Sequence, residues 1–353
     1  MNKIDFLKKL IRIRSDTKKG ANEAIEFCSD YLYKKGIDGK IIKNNGYKSY
    51  VSVIGNGKKT LVLNGHLDVV SDEDKNFEPI ETNDKLYGRG TADMKSGVVA
   101  IIDSFIKASK IELNNKVMLQ LVSDEETGGF NCTKHLVKSG YIGDFVICTE
   151  PTNLEISIQA KGILILDIEI FGKSAHGSRP WEGENAIIKS FKVFKKIKNL
   201  KILNIGSEYY EKSSINLARV KGGDVYNKVP SNVKMGIDIR YVPTINPDKI
   251  ISEIKKVVNG KVKVIAKEPA VLVDPTNEYV KGLKEVYIEN NLKKKVSFAV
   301  QHGGSDGRFF ADKGIPIVEF GPCGDNWHGD KEYVLKESIE DLSKVLISFI
   351  EKF

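Results

Sequence analysis

The sequence predicts an α/β protein of two domains: one wrapped around a buried sheet, the other a βαββαβ insertion of the ferredoxin-like kind. Three observations predict it. At 353 residues the chain is long for one domain and comfortable for two, each able to bury its own core. Over the first 160 residues, short apolar runs alternate with amphipathic helical stretches, the rhythm of an α/β domain. From about Lys161 to Lys267 the rhythm becomes strand, helix, strand, strand, helix, strand, a self-contained two-layer sandwich.

The elements come in order. Ile4, Phe6, Leu7, Leu10, Ile11 and Ile13 form a helical stripe broken by lysines and arginines, unlike the apolar core of a secretion signal. Thr60–Leu63, Lys116–Val122 and Phe145–Cys148 are short apolar runs of the kind suited to strands covered on both faces. Ser96–Lys110 fits a helix, with Val98, Ile101, Ile102, Phe105 and Ile106 at helical spacing. The insertion reads as strands Ile163–Phe171, Ser214–Lys221, Val233–Tyr241 and Val262–Ala266, with helices Glu184–Ile197 and Pro247–Val258. Helices Asn277–Asn290 and Ser338–Phe353 flank a strand Ile317–Phe320 and bring the chain back. The expected domains are 1–160 with 270–353, and 161–269.

Composition excludes several function classes. Basic residues exceed acidic ones by 55 to 47, but the lysines are dispersed and lack interleaved aromatics, so no nucleic-acid partner is expected. The basic surface suits an anionic small molecule instead. No apolar run approaches the roughly 18 residues of a membrane span, so no membrane partner is expected either. Cys28, Cys132, Cys148 and Cys323 form no C-x-x-C pair and read as reduced thiols, which with the missing secretion signal points to a cytoplasmic protein.

Five short phrases carry the chemistry: NGHLDVV, GRGTADMKSG, SDEETGG, CTEPT and NWHGDKEYV. They contain His66, Asp68, Asp93, Glu125, Glu126, Glu150 and His328, nitrogen and oxygen donors placed where strands end or loops turn. His66 and Asp68 point the same way in extended backbone, so the carboxylate is placed to fix the imidazole tautomer; a surface turn is the plainer reading of the pair alone. Asp93 at a Gly-flanked turn suits a bridging carboxylate or an ordinary helix N-cap. Adjacent Glu125 and Glu126 repel unless a cation neutralises them, and on extended backbone they diverge, one towards a metal and one towards water. Glu150 is held extended by Pro151. His135, on an ordinary helix face, receives no role.

In order along the whole chain, GHLDVV, GRGTADMKSG, DEETGG, EPT, GKSAH, NKVP, DIR, GGSDGRF and H-x-D-x-E-Y resemble the di-zinc amidohydrolase superfamily. Its members include succinyl-diaminopimelate desuccinylase, acetylornithine deacetylase, aminoacylase and glutamate carboxypeptidase. The resemblance implies a zinc-peptidase-like three-layer α/β/α catalytic domain carrying a dimerisation and lid insertion. It implies two zinc ions per subunit, with cobalt or manganese as substitutes, one held by His66, Asp93 and Glu150 and the other by the bridging Asp93, Glu126 and His328. Glu125 would be the general base, and His176 in GKSAH would reach the active site of the neighbouring subunit of a homodimer. Arg240, Asn227, Gly304, Ser305 and Arg308 are expected substrate contacts. The wording is nearest the desuccinylase branch, although the glycine loop is one residue shorter than the usual GGTSDGRF. Hydrolysis of an anionic N-acyl amino acid is the leading expectation, a dipeptidase or carboxypeptidase acting on short peptides the alternative, and a non-catalytic binding protein the remote one.

Overall fold

In the computed structural model, which describes residues 1–353, the chain divides into two compact units. Unit 1 is Met1–Ile158, Val273–Ala299 and Ser305–Phe353; unit 2 is Gln159–Leu272 with Val300–Gly304.

Unit 1 opens with helices α1 (Lys3–Arg12) and α2 (Lys18–Tyr33), whose first turns are capped by the side chains of Asn2 and Thr17. A hairpin comes next, β1 (Lys40–Asn44) to β2 (Tyr47–Ile54). Asn45 and Gly46 both take positive φ, 49° and 79°, as the two-residue turn that matches strand twist requires. Beyond it lie β3 (Thr60–His66), β4 (Ile80–Glu81), β5 (Lys85–Tyr87), α3 (Ser96–Ala108), β6 (Lys116–Val122), α4 (Thr133–Lys138), β7 (Phe145–Cys148) and β8 (Ile156–Ala160).

Unit 2 contains β9 (Gly162–Phe171), α5 (Ala186–Lys198), β10 (Ser214–Gly222), β11 (Asn232–Tyr241), α6 (Pro247–Val257), β12 (Gly260–Glu268) and β13 (Val271–Leu272). Its four-stranded sheet runs β10-β11-β9-β12, antiparallel throughout, which is the ferredoxin-like order. Alternate residues Leu164, Leu166, Ile168 and Ile170 of β9 and Val233, Met235, Ile237 and Ile239 of β11 turn inward. They share one core with Val193 and Ile197 of α5 and Ile250 and Ile254 of α6. The segment 300–304 belongs to this unit, so residues from 270 onward do not all return to unit 1: Lys161 N–H and the Tyr210 hydroxyl both donate to the Gln301 carbonyl.

The chain continues through α7 (Glu278–Glu289), β14 (Phe298–Gln301), α8 (Gly307–Ala311), β15 (Ile317–Glu319), β16 (Gly324–Asp325), β17 (Tyr333–Leu335) and α9 (Lys336–Lys352). The main sheet runs β1-β2-β6-β3-β7-β15-β8, with β6, β3, β7 and β15 mutually parallel. Neighbouring residues of β3 reveal the layers. Asn64 lies against Thr133 of α4, whereas any side chain at Gly65 would strike Val98 and Ile101 of α3. Helices therefore cover both faces, which is why the central strands are buried almost from end to end and mostly apolar. No helix is long and apolar enough to cross a membrane.

Candidate functional site

Parallel strands of the main sheet end together at one edge: His66 pairs with Val122, Asn64 with Cys148, and Cys148 with Glu319. Strands β3, β6 and β7 each lead there into one of the acidic or imidazole phrases. Carboxyl ends of parallel strands are where open α/β sheets bind ligands.

His66 is buried, and its Nδ1 meets the backbone carbonyl of Asp68 at 2.9 Å. The Asp68 carboxylate stands 3.7 Å away and does not orient the ring, as the two-residue spacing suggested it would. Its oxygens instead accept the N–H groups of Glu125 at 3.2 Å and Glu126 at 2.9 Å. The Asp68 carbonyl, rather than its carboxylate, meets the imidazole.

Glu125 and Glu126 are not on extended backbone. They occupy a 3₁₀ turn, Glu125–Thr127, whose N–H groups are gathered on Asp68, and Gly128 ends it at a φ of 109°. Behind the turn, the buried Asp124 carboxylate accepts the N–H groups of Asn131 at 2.7 Å and Cys132 at 3.1 Å.

Asp93 faces two histidines with different oxygens. Oδ1 lies 3.1 Å from His66 Nε2, and Oδ2 lies 3.3 Å from His328 Nε2. Glu150 Oε2 is 3.7 Å from His66 Nε2, and Glu126 Oε1 is 3.1 Å from His328 Nε2. Two triads result, His66–Asp93–Glu150 and Asp93–Glu126–His328, each with its donor atoms within 4.8 Å of one another. Glu125 Oε2 is 4.0 Å from His66 Nε2, at the margin of the first triad.

Burial dominates the electrostatics. It pushes the carboxyls of Glu125 and Glu150 up, because the charged form loses its water. Burial also pushes on Asp93, but hydrogen bonds with His328 and His66 outweigh it and hold that carboxyl well below the usual range. His328, hydrogen-bonded to Asp93 and Glu126, is pushed up to about 10. Asp68 is pushed up to about 7 by burial. So dense a cluster of acids needs compensating positive charge.

Sequence reasoning missed the parts that hold these groups. Glu332 accepts N–H bonds from Gly90, Ala92 and Asp93, and pairs with buried Arg89. An acid four residues past His328 and the arginine of GRG were visible, but nothing in their spacing paired them. Ser305 and Arg308 are buried and engaged by the protein: Ser305 donates to Glu319 at 2.5 Å, and Arg308 to the carbonyls of Ser305 and Gly128. Arg308 Nη1 also lies 3.7 Å from Glu125 Oε1. Both engage partners within the protein, and their role as substrate contacts stays an expectation from the resemblance.

The remaining candidates belong to unit 2. Arg240 pairs on its own strand with Asp238 at 2.9 Å, Asn227 is exposed and its carbonyl accepts from Gly177 N–H, and Gly304 is partly exposed. His176 is exposed, with Nδ1 2.8 Å from the Ser178 hydroxyl and accepting the Ser178 N–H. In the neutral ring that leaves Nε2 carrying the proton.

Residues 62–352 match the peptidase family M20/M25/M40. A succinyl-diaminopimelate desuccinylase of a Nitratiruptor species is 30% identical over 386 residues, covering 100% of both chains. Among solved structures, aminopeptidase PepT from Bacillus cereus superposes with a TM-score of 0.83 at 19% identity, covering 99% of this chain and 97% of that one. A dinuclear metal-binding M20 peptidase from Bacillus subtilis, YXEP, does so with 0.74 at 15% identity, covering 99% and 98%. Sheet, clustered acids and whole-length likeness converge on one conclusion, that the chain belongs to the M20/M25/M40 family of amide-hydrolysing enzymes.

Proposed function

We propose that the protein is a two-metal deacylase that cleaves the amide of an anionic N-acyl amino acid, N-succinyl-diaminopimelate being the leading candidate. The observation that carries this reading is Asp93, whose two oxygens each address a different histidine. The surrounding donors fit a pair of divalent cations: mixed imidazole and carboxylate ligands suit zinc, with cobalt or manganese as substitutes. His66, Asp93 and Glu150 would hold one ion, and Asp93, Glu126 and His328 the other. Their charge would offset the crowded acids. Such ions polarise a carbonyl and make a water acidic.

The chain's own groups supply the rest. Glu125, at the margin of the first triad, takes the attacking water's proton and passes it to the leaving amine as the amide C–N bond breaks. Its raised carboxyl suits a group that must hold that proton between the two steps. Asp68 keeps the turn carrying Glu125 in place through two backbone bonds. In a homodimer formed through residues 161–269, acting as dimerisation and lid domain, His176 Nε2–H would donate to the oxyanion at the other subunit's site. Arg240 offers a guanidinium to the substrate carboxylate, with Asn227 and Gly304 beside it in role. The likeness to a desuccinylase supports the acyl class, and free cysteines fit a cytoplasmic home.

The test is a panel of N-succinyl, N-acetyl and dipeptide substrates assayed with zinc restored after chelation. Chelation should abolish turnover and zinc should return it. Glu125→Gln should lower kcat by at least about 1,000-fold while zinc content stays the same, at the upper part of the range for removing a general base. Faster turnover of dipeptides would make the protein a peptidase. Equal activity with and without metal would end the two-metal reading.

A further inference from the structure

Resting on that two-metal reading, we propose that Glu332, acting with Arg89, sets the reach between Asp93 and His328 and so governs metal affinity at the Asp93–Glu126–His328 triad. It is a positioning residue, touching neither ion nor substrate.

The two triads are built differently. His66 ends a core strand with its ring braced on the Asp68 carbonyl, and Glu150 lies just past the end of β7. His328 has no such support. It sits in a loop at a φ of 64°, and half of its side chain is exposed. Asp93 likewise lies in irregular backbone that begins at Gly90, where φ is 80°. Some other contact must fix the distance between them.

Glu332 supplies it. Its side chain is buried, with Oε1 accepting Ala92 N–H at 2.8 Å and Asp93 N–H at 3.0 Å, and Oε2 accepting Gly90 N–H at 2.9 Å and Arg89 Nη1 at 2.7 Å. A carboxylate that takes three backbone donors fixes the path of the loop they belong to. Arg89, buried as well, reaches the Gly329 carbonyl at 3.1 Å and Asp72 at 2.6 Å. Gly329 is the residue after His328. The Glu332 carbonyl also accepts Gly88 N–H at 3.1 Å. One side chain thus ties the Asp93 backbone to the segment carrying His328, and Arg89 closes the tie at the neighbouring residue.

Glutamine at position 332 keeps the shape but turns an amide NH₂ towards N–H donors, so one side of the clamp opens. Outer groups that orient metal ligands typically matter by 10–100-fold in affinity. The test uses the full-length chain, stripped of metal and titrated with zinc against a chromophoric chelator, in three forms: wild type, Glu332→Gln and Arg89→Lys. Backbone hydrogen exchange is followed separately without metal. Wild type should bind two equivalents. Glu332→Gln should keep one at wild-type affinity and weaken the other by about 10–100-fold, with Arg89→Lys weakening the same equivalent to a smaller extent. Without metal, exchange at Gly90, Ala92 and Asp93 should quicken in Glu332→Gln while β3 stays protected. Both equivalents unchanged, both weakened alike, or exchange raised throughout the chain would each overturn the proposal. If Glu332→Gln does not fold, Arg89→Lys decides, and unaltered affinity there overturns it. A wild type that binds fewer than two ions defeats the two-metal reading, and the exchange pattern then judges the clamp alone.

Discussion

Asp68 acts through the donors it gathers. Burial pushes the Asp68 carboxyl up to about 7, and its two oxygens accept the N–H groups of both Glu125 and Glu126. Asn in its place offers one oxygen to two donors and loses one bond, so the turn bearing Glu125 loosens. We expect Asp68→Asn to lower kcat by about 10–100-fold and stability by about 1–3 kcal/mol, read by steady-state kinetics and denaturant melts; an unchanged kcat would remove Asp68 from this role. The seven acids and imidazoles were legible because each sits in a phrase whose glycines or proline mark a strand end. How they are braced was not legible. Spacing puts Asp68 near His66 but does not say whether its carboxylate or its carbonyl meets the ring. It also gives no sign that Glu332 binds backbone 240 residues away, or that Ser305 turns inward to Glu319.

Several long elements were read nearly intact, whereas helix α2 and the hairpin β1–β2 were not read at all. The runs at Lys116–Val122 and Phe145–Cys148 are strands with those bounds, and the helix read from Pro247 ends one residue early, at Val257. The two- and three-residue strands of the small sheet β16-β17-β5-β4 escaped, since two residues show no period. The helical junction at Lys95 escaped too. Its side chain is fully buried, with Nζ donating to the carbonyls of Leu10 at 2.9 Å and Ile13 at 3.3 Å, so it fastens the end of α1. Burial pushes its ammonium down to about 7 from an ordinary 10.5. Between those values the unfolded chain binds more protons than the folded one, so stability rises with pH across that window, by at most about 1.4 kcal/mol per unit. Lys95→Met lacks the titration. The melting temperature of wild type relative to Lys95→Met should climb from pH 7 to pH 9, and parallel curves would show that burial does not depress this lysine.

At the scale of the molecule, the proposed homodimer needs a surface on unit 2 that a second copy could cover. Ile188 and Phe191 stand one turn apart on α5, 57% and 53% exposed, and β10 ends its sheet with Val220 also exposed. Scattered apolar residues are ordinary; in the proposed homodimer, two copies meeting by a two-fold axis at this helix face and strand edge would bury both. In such a dimer a histidine serving the other subunit's site makes a prediction that one serving its own cannot. Glu125→Gln and His176→Ala should each be nearly inactive alone. Co-expressed in equal amounts, half of the randomly formed dimers are mixed. If His176 works across the interface, one site of each mixed dimer carries both defects and the other carries neither, so the mixture should recover about a quarter of wild-type activity. Were His176 to serve its own subunit, every site in a mixed dimer would retain one defect, and the mixture would stay as inactive as its parents.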